Sequence, residues 1–101
     1  MADIPVGDNP IIFTALGDRY LFGFRALGIV WEGATAQGDT VRVAKLNEDK
    51  TVGKLLWPGR TNITNTYQGM NWGPKGLHAP FGIQCTGIKD GTQVCIYRME
   101  D

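Results

Sequence analysis

The sequence predicts an all-β fold: a single small antiparallel β-sandwich, jelly-roll-like, of about seven or eight short strands with an extended N-terminal arm. Three observations predict it. Fourteen glycines and five prolines are spread along the whole chain, which is typical of many short turns. Short runs rich in β-branched and aromatic residues lie between these turns. No segment shows a sustained helical period with caps.

The length of 101 residues fits one domain that can bury a core without disulfide staples. We predict that residues 1–10 form an extended N-terminal arm and that residues 11–101 form the single β-sandwich domain. Pro5 and Pro10 favour extended geometry in the residues before them, so we predict that the arm does not belong to the core. The alternative is a frayed terminus.

The strand-like runs can be placed along the chain from their composition. They cover residues 11–16, 20–24, 26–31, 40–46, 51–57, 66–70, 81–88 and 92–99. Residues 47–50 are predicted to be a polar hairpin turn, and Gly53 is predicted to mark a bulge. The Asp90-Gly91 step predicts a hairpin between the last two runs. Residues 60–80 are the least regular stretch, which indicates either a functional loop or missed structure.

Charge and hydropathy exclude some classes of partner. Ten basic residues balance ten acidic ones. A nucleic-acid binder needs a basic surplus, and so does attraction to an anionic membrane, so we predict neither partner. The N-terminus lacks the pattern of a secretory signal, and no run approaches the ~20 apolar residues of a membrane span. The near-neutral surface favours association with other copies.

The titratable residues do not form a recognisable active site, and we predict that the protein is not an enzyme and holds no cofactor or metal. His78 is the only histidine and has no partner that the sequence identifies. Cys85 and Cys95 lie in the two strands of the predicted hairpin; reduced thiols are favoured, with a disulfide as the alternative. A pair of carboxylates acting on a glycoside also stays open, although so small a sandwich rarely supplies the cleft.

The aromatic residues are the best candidates for contacts. Trp31 and Trp57 end apolar strands, which favours the core or the sandwich edge. Tyr67 and Trp72 lie in a glycine-rich segment, where exposed rings would stack on sugars or anchor a neighbouring subunit. The alternative is a lid packed on the core.

Several motifs together resemble a known group of proteins. They are a tryptophan strand with a small-residue turn and a Gly-Asp-Thr strand (residues 28–41), a Leu-Trp strand (residues 54–57), and residues 76–80 leading to a closing Ile-Tyr strand (residues 91–97). Over residues 20–99 the chain resembles small β-sandwich virion proteins of tailed bacteriophages. The resemblance implies a capsid decoration (cement) protein or a part of a tail or fibre. It carries no catalytic residues.

The sequence therefore predicts a virion protein of the capsid surface, made in the host cytoplasm. It would bind and stabilise the shell of major capsid protein and would associate with copies of itself, as a homotrimer. A tail or fibre component or a carbohydrate- or receptor-binding module is the alternative, and an enzyme or an enzyme inhibitor is a further one. The residues predicted to bind partners are Ile4, Pro5, Val6, Pro10, Tyr67, Met70, Trp72 and His78.

Overall fold

The computed structural model describes residues 3–6, 9–33, 40–60, 67–89 and 91–99, with backbone only at residues 59–60 and 67–68. These residues form nine strands in two antiparallel sheets. The strands are β1 (Ile11–Phe13), β2 (Arg19–Tyr20), β3 (Phe24–Glu32), β4 (Thr40–Leu46), β5 (Val52–Arg60), β6 (Tyr67–Asn71), β7 (Leu77–Ala79), β8 (Ile83–Gly87) and β9 (Gln93–Arg98). No helix long and apolar enough to cross a membrane occurs in this part of the chain.

The strand order is that of a jelly roll. The first sheet has the order β1-β9-β3-β6, and the second has β2-β8-β4-β5. The short strand β7 lies end to end with β6 along the same side of β3. Without β7, successive strands change sheet at every step except the β4–β5 hairpin, which is the connectivity of the two Greek keys of a jelly roll. The predicted jelly-roll-like β-sandwich is confirmed.

The predicted hairpin between residues 81–88 and 92–99 is wrong. Strand β8 pairs with β2 and β4 in the second sheet, whereas β9 pairs with β1 and β3 in the first. Gly91 does make a turn, with φ of 83°. However, a turn does not determine which sheet the next strand joins. The apolar faces of β8 and β9 are both buried in the core between the sheets.

The core lies between the inner faces of the two sheets, where the side chains alternate along each strand. In β4, Val41 and Val43 are fully buried, and Arg42 between them is exposed. Trp31 is also fully buried, and its indole Nε1 donates a hydrogen bond to Thr92 Oγ1 at 3.0 Å. Trp57 is 5 % exposed, so the expectation that Trp31 and Trp57 belong to the core is confirmed.

The β4–β5 hairpin follows the sequence prediction closely. Its turn is closed by hydrogen bonds from Asn47 N to Thr51 O at 2.8 Å and from Lys50 N to Asn47 O at 2.9 Å. The register shifts twice along β5, once beside Gly53. Both the predicted turn and the predicted bulge are confirmed.

The N-terminal segment is in part packed on the domain. Ile4 N donates to Arg19 O at 2.7 Å, and the Arg19 guanidinium contacts Asp3 Oδ1 at 3.0 Å. The Ile4 side chain is half-buried and packs against the core cluster. The expectation that this segment lies outside the core is wrong for Ile4, because β2 has only two residues and its open edge accepts the segment. The irregular stretch of residues 60–80 contains β6 and β7.

Candidate partner-binding surfaces

Two grooves on the described surface contain residues that the sequence predicted to bind partners. The first, here called the terminal groove, has a volume of about 380 Å³ and is defined by Val6, Phe22, Phe24, Arg25, His78 and Arg98. The second, here called the glycine groove, has a volume of about 440 Å³ and is defined by Gly28, Val30, Gly69, Met70, Asn71 and Tyr97.

The terminal groove forms where the link from β2 to β3 crosses the turn after β7. Tyr20 packs edge-on against Phe22 and Phe24, with ring centroids 5.4 and 5.3 Å apart. A Cβ at Gly23 would lie 2.6 Å from the carbonyl oxygen of Pro80, so only glycine allows this close approach. The link therefore presents an aromatic cluster beside β7.

The charged residues of the terminal groove are all basic. Arg25 and His78 are directly opposite each other on β3 and β7, and Arg98 also lines the groove; none of the described residues that line it is acidic. Arg25 Nη1 donates to the backbone oxygen of Lys75 at 3.4 Å. Arg25 and Arg98 give this groove positive charge, so an acidic group of a partner would be attracted here.

The glycine groove lies on the outer face of the first sheet. Gly28 is paired with Asn71 on one side and with Tyr97 on the other. A Cβ would lie 2.6 Å from Ile29 O at Gly69 and 3.1 Å from Met70 O at Gly28. The floor of the groove is therefore bare backbone, and the 45 % exposed Tyr97 stands beside it.

The structure brings together some of the predicted partner-binding residues. Val6 and His78, which lie far apart in sequence, both line the terminal groove. Met70 is 49 % exposed and lines the glycine groove. Pro5 is exposed and Pro10 half-buried, and neither lines a groove.

Three of the predicted residues have other positions. Ile4 packs on the core, as described above. Trp72 is half-buried against the core, which fits the lid alternative. Its backbone N–H donates a hydrogen bond to Leu27 O at 2.9 Å. The backbone of Tyr67 pairs with Glu32, and its side chain lies outside the described residues.

Sequence reasoning missed Phe22, Arg25 and Tyr97. The alternation of β9 could have identified Tyr97, because it follows the buried Ile96 and so belongs to the outer face. Phe22 lies in the link between two strands, where no periodicity indicates the direction of a side chain.

Cys85 and Cys95 are both free thiols, so the alternative of a disulfide is wrong. They lie in different sheets. Burial raises the pKa of both thiols; the Asp18 charge raises the pKa of Cys85 further, and the Glu32 charge does so for Cys95. Both therefore stay protonated at neutral pH. Among the described residues, no three His, Cys, Asp or Glu side chains are grouped as a metal ion would need.

Comparisons of the chain with known protein families, curated proteins and solved structures find no match. The fold and the surfaces define the class: an all-β jelly-roll sandwich with an aromatic, basic groove at one place and a glycine-floored groove at another. Jelly rolls include both viral capsid domains and lectins, so the fold alone does not determine the function.

Proposed function

We propose that this chain is a structural protein of a bacteriophage virion that decorates the capsid by binding the shell of major capsid protein. The observation that carries this proposal is the convergence of Val6 and His78 on the terminal groove. Two segments predicted separately to bind a partner thus contribute to one surface. The jelly-roll fold, which is common among viral capsid domains, supports the same proposal.

The terminal groove has the composition of a protein interface. Val6 is 64 % and Phe22 43 % exposed, although both are large apolar side chains. Aromatic and arginine side chains are enriched at interfaces, and a few of them contribute most of the binding energy. The shell surface that fits this groove presents an apolar side chain with acidic groups around it.

Repetition over a symmetric shell would multiply modest contacts into firm attachment. The homotrimer, the capsid-surface location and the lack of a nucleic-acid or membrane partner stay predictions that go with this proposal. Copy number in purified virions tests the location. Copies on the order of hundreds would support the shell, a dozen or fewer would indicate the tail, and none would contradict a virion protein.

Capsid binding tests the terminal groove. The double variant Val6→Ser/Phe22→Ala removes both exposed apolar side chains, and we expect at least about tenfold weaker co-sedimentation with undecorated capsids. The matched control is Val52→Ser, because Val52 is 49 % exposed on β5 and lines neither groove. Equal decoration by the double variant and the control would contradict the proposed surface.

A carbohydrate- or receptor-binding module of a tail or fibre is the second candidate. The glycine groove favours it, because Tyr97 and the exposed Asn71 lie beside a backbone floor that leaves room for a sugar ring. An aromatic face with a few polar groups is the usual arrangement of a small-molecule site. Glycan-array binding that is lost in Tyr97→Ala would support it, and the absence of any binding by the wild type would contradict it.

A further inference from the structure

The free edges of the described sheets differ in how well they are protected from pairing with a strand of another chain. Most carry a feature that discourages pairing with another chain. Strand β1 has three residues and follows Pro10, β7 has three and precedes Pro80, and the open edge of β2 accepts a hydrogen bond from Ile4. Strand β5 contains Pro58 and two register shifts.

Strand β6 has none of these features. Its five residues, Tyr67-Gln68-Gly69-Met70-Asn71, include no proline and no charged side chain. They pair with β3 in one continuous register from Glu32↔Tyr67 to Gly28↔Asn71. No strand in the described part of the chain pairs with the other side of β6. This edge is therefore regular and open.

The direction of the free backbone groups follows from one hydrogen bond. Trp72 N donates to Leu27 O at 2.9 Å, in the same register as the β3–β6 pair. Hydrogen-bonded and non-bonded pairs alternate in an antiparallel ladder, so Gln68 and Met70 bond to β3. The N–H and C=O groups of Tyr67, Gly69 and Asn71 consequently point to the open edge.

We infer that two copies of this chain pair through β6, antiparallel, about a two-fold axis at Gly69. In this register Gly69 faces Gly69 of the second copy, and Tyr67 faces Asn71. The groups that point outward on one copy then meet the groups that point outward on the other, which gives about six main-chain hydrogen bonds. Such a contact is isologous, so it closes at two copies and does not continue into a fibre. The dimer is thus an alternative to the homotrimer predicted from the sequence, and a mass of three chains in solution would favour the trimer instead.

A second copy fits this edge better than a charged partner strand does. Because β6 carries no charge, self-pairing places no like charges opposite each other. The net charge of zero also removes long-range repulsion between copies. Glycine at the axis places no side chain between the two backbones there. A five-residue strand is smaller than a standard interface, so the dissociation constant is expected in roughly the micromolar range.

Sedimentation of the whole chain at increasing concentration tests the inference. The wild type should shift toward twice the 11.1 kDa mass of one chain. Tyr67→Pro removes an outward N–H without removing a hydrogen bond to β3, and it should weaken dimerisation at least about tenfold. Tyr67→Ala is the matched control, because it also loses the side chain but keeps the N–H. It should dimerise within about threefold of the wild type.

A charge pair tests the register itself. Positions 67 and 71 face each other only across the proposed axis. Tyr67→Lys/Asn71→Lys should therefore weaken the dimer, and Tyr67→Lys/Asn71→Glu should restore it, with a difference of about tenfold that shrinks as salt is added. Circular dichroism and thermal melting confirm that each variant is folded.

Two outcomes would overturn the inference: a wild type that is monomeric at every concentration, or two charge variants that associate equally. No capsid is used in these measurements. A negative result therefore removes the β6 dimer and leaves the proposed capsid binding to its own test.

Discussion

The strands β5 and β6 are edge strands of the two different sheets and contact each other, yet their free edges differ in chemistry. Strand β5 has nine residues, with Pro58 and a bulge beside Gly53. Strand β6 is shorter, uncharged and regular. Since an exposed regular edge invites pairing, the difference indicates that β5 is protected from association whereas β6 is available for it.

The largest expected effect is on the free energy of unfolding, and it is tested by substituting one glycine in each of the two edge strands. Gly69→Ala would place a Cβ 2.6 Å from Ile29 O, a backbone atom of the neighbouring strand. Relief requires movement of β3 or β6, so we expect a loss of about 1–3 kcal/mol in the free energy of unfolding. Urea denaturation of the variant and the wild type under the same conditions measures it.

The matched control is Gly53→Ala in β5. Its Cβ would also lie 2.6 Å from a neighbouring atom, but that atom is Oδ1 of Asn47, the end of a side chain that can rotate away. The nearest backbone atom, Lys45 O, would lie 3.2 Å away and need give only slightly. We therefore expect a loss below about 1 kcal/mol, chiefly from the disturbed hydrogen bond between Asn47 and Thr51. A loss at Gly53 equal to that at Gly69 would contradict the view that the β6 pairing is the tighter one.

The next effect concerns association. Pro58→Val would give β5 a backbone N–H that proline lacks. In edge strands the nitrogen of a proline faces the free edge, so the new N–H would be available to another chain. We expect increased self-association in sedimentation, with stability changed by less than about 1 kcal/mol. Pro74→Val, in the exposed turn before β7, is the control and should leave association unchanged. Unchanged association in Pro58→Val would mean that the bulges alone protect this edge.

The smallest expected effect is a difference in alkylation rate between the two cysteines, one in each sheet. Cys95 is 6 % exposed and lies in register with the 40 % exposed Ile12, whereas Cys85 is fully buried in the core. Alkylation of the native protein at pH 8, followed by mass spectrometry, should modify Cys95 before Cys85. Faster modification of Cys85 would contradict the packing of the second sheet.

The same thiols predict how stability depends on pH. Because burial raises their pKa in the folded state, unfolding favours the thiolate at alkaline pH. The stabilisation is complete below the unfolded thiol pKa of about 8.5 and is lost as pH rises through the folded pKa. Urea denaturation between pH 7 and about 10 should show this decrease, and it should be smaller in Cys95→Ala.

Much of the local structure could be predicted from the sequence. The alternation of Val41 and Val43, the polar turn at residues 47–50 and the bulge at Gly53 all depend on side chains within a few residues of each other. Composition and turn spacing also determined the all-β sandwich, because strands with one apolar face must pack in two layers.

The pairing of strands and the surfaces required the tertiary structure. Strands β8 and β9 flank a hairpin signal but join different sheets, because β8 pairs with β2 and β4 whereas β9 pairs with β1 and β3. The terminal groove depends on Val6 of the N-terminal segment, the β2–β3 link and β7 lying beside one another, and the open edge of β6 depends on which strand it pairs with. These contacts join residues far apart in sequence, and no local preference determines them.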